Sequence, residues 1–112
     1  MHLTVTQAGD PQIIRVDEAR IDAAVAIQFK DAVRTQVSPA TARVVLDLGA
    51  VDFIDSSGLG AIVAAMKALR KDQQLDLAAL RPMVDKVFRM TRMDTIFVIH
   101  ESVEAAKGLS AL

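Results

Sequence analysis

The sequence contains no cysteine, no tryptophan and no tyrosine. Without cysteine, disulfide scaffolds and thiolate metal sites are excluded. Four phenylalanines are the whole aromatic supply, 4% of the chain, so ring platforms for stacking bases or sugars are poorly furnished. An excess of one charge is also missing. Thirteen Lys and Arg stand against 14 Asp and Glu, a formal net charge of −1. A phosphate-binding module needs clustered basic residues, so nucleic acid is not expected as a direct partner. No run of 18 apolar residues occurs, which predicts no transmembrane helix and no membrane insertion. The opening MHLTVTQAGD has neither the basic region nor the long apolar stretch of a secretory signal. A cytoplasmic protein is the expectation.

What is present is a chain of 112 residues, 52% of them hydrophobic. That length buries about two-thirds of its unfolded surface in one core, and the composition argues against disorder. One domain, 1–112, is expected, because no linker separates two cores. Leu3, Thr4, Val5 and Thr6 alternate as a half-buried strand does. Ala8-Gly9-Asp10-Pro11 is a turn cluster. Ile13, Ile14, Arg15 and Val16 then form a second strand, antiparallel to the first.

From Asp22 the period changes. Val25, Phe29 and Val33 recur every fourth residue, one face of a helix, with Asp22 as its N-cap. Ser38-Pro39 ends it, because the residue before proline disfavours the helical region. The run 44–48 (VVLDL) reads as a buried parallel strand. A second helix is predicted over 56–71, with Leu59, Ile62, Val63, Met66 and Leu69 as its apolar stripe. All but Leu59 read as core. A strand over 75–80 follows. Pro82 opens a third helix, with Val84, Val87 and Phe88 on one face. Ile96 to Ile99 is the last strand, and Ser102 caps a final helix over 103–109. The order is ββαβαβαβα. Such alternation predicts an α/β domain whose sheet is mixed but mostly parallel, with an antiparallel edge hairpin at the N-terminus. Met83, Met90 and Met93 suit either adaptable packing or exposed contact.

Enzymatic signatures are missing. No phosphate-binding glycine loop and no zinc-binding histidine pair occur. His2 lies in the terminus, and His100 reads as a solvated strand-end residue without co-ligands. No catalytic residue, metal site or cofactor is expected.

The informative stretch is 51–63, VDFIDSSGLGAIV, where a turn feeds the second helix. Asp55 or Ser56 can cap that helix. With Asp55 as cap, Ile54 and Leu59 take the two positions of a hydrophobic staple. Two serines exceed what one cap needs. Gly58 and Gly60 each cost about 0.8–1.0 kcal/mol in a helix, so something must compensate. They serve either close internal packing or a flat docking surface around an exposed Leu59. A hydroxyl at a helix N-terminus is also well placed to carry phosphate. A phosphate on Ser56 adds about −1.5 to −2 charge beside Asp55, which repels an acidic partner surface at little cost to the fold.

At these residues the chain resembles the STAS domain family, in particular its bacterial anti-sigma factor antagonists. DFIDSSGLGAIV matches the family's central motif, and Pro82, Val84, Val87, Phe88, Met90 and Thr91 fit its helix pattern. Ile96 to Ile99 fit its last strand, and Ile21-Asp22 the dipeptide that opens its first helix. The resemblance implies a single STAS domain and a phosphorylation-controlled partner switch. Ser56 would be the phosphoacceptor. Asp22, Asp55, Ser57, Gly58, Leu59 and Gly60 would form the partner-binding face. The implied partners are an anti-sigma factor, itself a GHKL-type serine kinase that uses ATP, and a metal-dependent serine phosphatase. The resemblance also allows a non-switching adaptor role, as a small subunit of a lipid-transport ABC system. The stretch 18–22 (EARID) lacks the glycine that the family often carries before its first helix.

Overall fold

The computed structural model describes residues 1–111. A five-stranded sheet runs in the order β1 (Leu3–Gln7), β2 (Gln12–Val16), β4 (Arg43–Asp47), β6 (Gln74–Ala78) and β7 (Ile99–His100). β1 pairs antiparallel with β2, and every other ladder is parallel. The expected mixed, mostly parallel sheet with an antiparallel edge hairpin is what forms. Both faces of the central strands are buried. Ile14, Val16, Val44, Leu46, Leu75 and Leu77 join the main core, while Ile13, Val45 and Ala78 turn to the other face. Burial on both sides is why 44–48, interrupted only by Asp47, reads as a nearly continuous apolar run.

β2, β4, β6 and β7 advance in one direction across the sheet, so right-handed crossovers place the intervening helices on one face. α1 (Ala26–Gln36), α2 (Ser56–Lys67) and α3 (Pro82–Met90) lie there, contributing Phe29 and Val33, Ala61, Ile62 and Ala65, and Val84 and Phe88 to the main core. α4 (Val103–Ala111) covers the opposite face with Val103 and Ala106. Its Ser102 Oγ accepts from Ala105 N at 3.0 Å, the N-cap bond expected of it.

Several elements depart from the sequence reading. First, a two-stranded parallel ladder, β3 (Arg20–Ile21) with β5 (Phe53–Ile54), was not foreseen. Two residues are too few for a period to register. Second, Asp22 does not cap α1. The helix begins four residues later behind Val25, which makes no side-chain cap bond. Asp22 instead folds the turn at 22–25, its Oδ1 accepting from Ala24 N at 3.1 Å. Third, the last strand is shorter than 96–99. Met93–Thr95 forms a 3₁₀ turn, and the amides of Ile96 and Phe97 both donate to Met93 O at 3.0 Å. Those donors are spent before the ladder starts, so only Ile99 and His100 join it. Phe97 is still buried and meets Phe88 edge to face. α2 also stops at Lys67 rather than at 71.

The β3–β5 ladder continues past the C-terminal ends of β2 and β4. α1, α2 and α3 therefore all start at the same end of the molecule, the rim above the C-terminal ends of the parallel strands.

Candidate functional site

α2 is the middle helix of the three, and its N-terminus is built by Asp55. In extended conformation (φ −109°, ψ −175°), Asp55 turns its Oδ1 to accept from Gly58 N at 2.8 Å. This is an N-cap bond at the third helical position. Oδ2 accepts from Ala23 N at 3.3 Å, so one carboxylate ties α2 to the turn that precedes α1. Backbone bonds reinforce it, with Leu59 N donating to Asp55 O at 2.9 Å and Asp55 N to Ile21 O at 3.4 Å. Ile54 is buried and Leu59 packs against the same core, as the staple positions require.

The capping is thus done by Asp55, and the serines are left over. Ser56 and Ser57 are the first two residues of α2, both exposed, and neither hydroxyl has a hydrogen-bond partner among the described residues. An exposed hydroxyl on a helix N-terminus, free of structural duty, can be esterified without breaking a bond of the folded state.

The two glycines separate. At Gly58 a Cβ would lie 2.0 Å from Ile21 O and 2.8 Å from Ile54 Cγ1, so α2 rests directly on the β3 backbone and Gly58 is buried. At Gly60 a Cβ would meet nothing within 4 Å. The two uses open to the glycines in the sequence, close internal packing and a flat surface, therefore divide between them. Gly58 shapes the helix from inside, Gly60 opens to solvent, and Leu59 is half-buried rather than exposed. Around this rim Asp22 is half-buried, with Oδ2 accepting from Arg20 Nε at 3.2 Å, and the Arg20 guanidinium lies 4.1 Å over the Phe53 ring. Arg81, the residue before α3, donates from Nε to Gly49 O at 2.8 Å and so fixes the start of α3 to the segment leading into β5.

His100 is not the solvated residue its position suggests. Its Nε2 lies 2.9 Å from Oδ2 of Asp76, which is fully buried, and Arg43 Nε donates to the same oxygen at 2.9 Å. Gln74 Nε2 donates to the other oxygen at 2.6 Å, and Arg43 Nη2 reaches Ala106 O in α4 at 2.9 Å. This cluster locks α4 to the sheet. Asp76 between Leu75 and Leu77 is the signal that was there to find, because a carboxylate in a buried run needs a partner. The cluster borders a recess of about 950 Å³ at the N-terminal ends of β4 and β6, away from the serine rim. Among the described residues no helix is long and apolar enough to cross a membrane.

Two large apolar residues stand on the surface where α1 and α3 begin, Ile27 unread from sequence and Met83 undecided. Ile27 is 76% exposed and Met83 64% exposed. Ile27 lies off the 25/29/33 stripe, which is the signal that it does not serve the core. Met83 suits packing or contact by residue type, and the structure exposes it.

The family model described as STAS domain matches residues 2–106. The chain is 36% identical over 107 residues to a protein of Bordetella bronchiseptica named as an anti-sigma factor antagonist, BtrV, covering 95% of this chain and 91% of that one. Among solved structures, an anti-sigma factor antagonist from Mycobacterium paratuberculosis superposes with a TM-score of 0.81 at 24% identity, covering 98% of this chain and 92% of that chain. The Bacillus cell fate determinant SpoIIAA in its phosphorylated form superposes with a TM-score of 0.64 at 20% identity, covering 96% and 97%. At these identities the two structures speak for a shared fold.

Proposed function

This chain belongs to the STAS domain family, and from that premise we propose that it is an anti-sigma factor antagonist acting as a phosphorylation-controlled partner switch. Its role is regulatory, not catalytic. Unmodified, it holds an anti-sigma factor that is a GHKL-type serine kinase, which frees a sigma factor and so regulates transcription. The kinase passes the terminal phosphoryl group of ATP to Ser56 Oγ, and the complex parts. A metal-dependent serine phosphatase hydrolyses the ester and restores binding. The exchange takes place in the cytoplasm, and the working unit is the whole domain, 1–112.

One observation carries this reading. Ser56 is exposed at the first position of α2 and its hydroxyl is unengaged, because Asp55 does the capping. A phosphate there adds about two negative charges in the middle of the rim, next to Asp55, and leaves the fold's own bonds intact. Ser57 and Gly60 present the rest of the face, with Asp22, Asp55 and Leu59 at its half-buried margin. Gly58 sets the face's level from beneath. That a solved structure of the same fold is a phosphorylated protein agrees with this reading.

The test is incubation with the cognate kinase and ATP, followed by peptide mass spectrometry. One phosphate on Ser56 is expected. A phosphate elsewhere, or none, refutes the assignment. Ser56→Asp is expected to weaken kinase binding while stability stays within about 0.5 kcal/mol of wild type, as for a surface change. A larger loss would make Ser56 a structural residue.

A further inference from the structure

The exposed large hydrophobic residues fall at different places on the molecule. Met90, Ile96 and Val98 follow or end α3, away from the rim, and Val5 lies on the outer strand β1. Ile27 and Met83 stand at the serine rim. Ile27 is the second residue of α1 and Met83 the second residue of α3. α1 packs against α2, whose first residue is Ser56, and α3 packs against β5, the strand that leads into that serine. Ala23 N is bonded to Asp55 Oδ2, and the turn at 22–25 leads from it into α1, where Ile27 is the second residue. On the other side Arg81, bonded to Gly49 O, fixes the approach of α3 two residues before Met83. Two side chains with every reason to be buried are thus held out to solvent, one on each side of the serine, by elements whose positions are fixed.

We propose that Ile27 and Met83 are paired apolar anchors that fill two hydrophobic recesses of the protein partner covering Ser56. This rests on the reading that the serine rim binds an anti-sigma factor. A partner's half of a standard interface is about 800 Å², enough to span three neighbouring helix starts. Interfaces draw their energy from a few well-packed side chains around which polar contacts exclude water. The serine hydroxyl then lies between two anchors, where an added charge is desolvated as the partner closes. That placement makes the switch effective. On an open margin a phosphate would stay hydrated and repel weakly. A second copy of this chain is the poorer occupant, because a two-fold contact centred on Ser56 brings the adjoining Asp55 carboxylate close to its own mate.

The experiment uses the full chain and the recombinant GHKL-type anti-sigma factor of the same organism, with binding measured by calorimetry. Ile27→Ser and Met83→Ser are each expected to weaken binding by about tenfold or more. Met90→Ser, as exposed at 73% but outside the rim, is expected to stay within about twofold. Melting temperatures of all three should match wild type, since none of these side chains is in the core. If Ser56→Asp abolishes binding while Ile27→Ser and Met83→Ser bind as wild type does, the anchors are overturned and the switch stands. If wild type does not bind the anti-sigma factor, or Ser56→Asp binds unchanged, the underlying reading falls and takes this occupant with it. If sedimentation shows a wild-type dimer that Ile27→Ser dissolves, the occupant is a second copy and the proposal is refuted.

Discussion

Replacing Gly58 and Gly60 separately by alanine tests how α2 is seated. In a helix interior alanine is favoured over glycine by about 0.8–1.0 kcal/mol, so propensity alone predicts that both variants gain. Packing divides them. At Gly60 the new methyl meets nothing within 4 Å, and Gly60→Ala should gain about 0.5–1 kcal/mol. At Gly58 the methyl would lie 2.0 Å from Ile21 O, where ordinary contact begins at 3.4 Å, a shortfall of 1.4 Å. The obstacle is β3 backbone, which is pinned by its ladder to β5 and cannot rotate aside. Overpacking of this kind costs about 1–3 kcal/mol, occasionally more. The separation at Gly58 exceeds mere tightness, so the upper part of that range applies. After the propensity gain, Gly58→Ala should lose about 1–2 kcal/mol net. For a chain of this size that lowers Tm by about 4–8 °C. Urea unfolding followed by circular dichroism at the helix band measures both variants on one scale, with the m-value as a check that the unfolded state is unchanged. If Gly58→Ala is as stable as Gly60→Ala, α2 does not rest on the Ile21 backbone and the seating described here is wrong.

Asp55→Ala removes both the Gly58 cap and the bond to Ala23. It should cost about 1–2 kcal/mol in urea unfolding, whereas Ser56→Ala should be nearly silent; the reverse ranking would move the cap to the serine. Asp76→Ala leaves the Arg43 guanidinium, 15% exposed, beside His100 without its carboxylate. A loss of about 3 kcal/mol or more is expected, and unchanged stability would mean the cluster does not hold α4. Acid should loosen the N-terminal hairpin. The Asp17 carboxyl is held below the usual carboxylate range by the Thr4 hydroxyl and by Arg15, and Glu18 likewise by the His2 backbone N–H and then the His2 ring. A depressed folded-state pKa gives stability that is complete above the unfolded pKa and fades as pH falls through the folded one. Tm measured downward from pH 5 should therefore decline, gently because both groups are solvent-screened. Asp17→Asn should flatten the decline, and an unaltered slope would refute the assignment.

Where period and burial coincide, the sequence was readable. The 25/29/33 stripe, the VVLDL run and Pro82 each placed an element near its true position, and the motif at 54–60 located the rim. The misses have physical causes. The β3–β5 ladder has two residues per strand and leaves no period. Asp22 carries a good capping residue type, but its oxygens serve Ala24 N and Arg20, so α1 starts late. Ile96 to Ile99 are apolar enough for a strand, yet the 3₁₀ turn takes two of their amide donors. His100 was misread because its partners, Asp76 and Arg43, lie 24 and 57 residues away in the chain. The glycine pair could not be divided from sequence, since only the path of β3 beneath α2 distinguishes the positions.

That Asp55 and not Ser56 carries the capping duty reaches beyond the geometry of one helix. A side chain that held the helix together would make each chemical mark a small act of denaturation, and marked molecules would be drained away by proteases. Under the proposed switch the mark falls on a group the fold does not need. Such a molecule could be inscribed and erased through many cycles, its lifetime decoupled from the messages it carries.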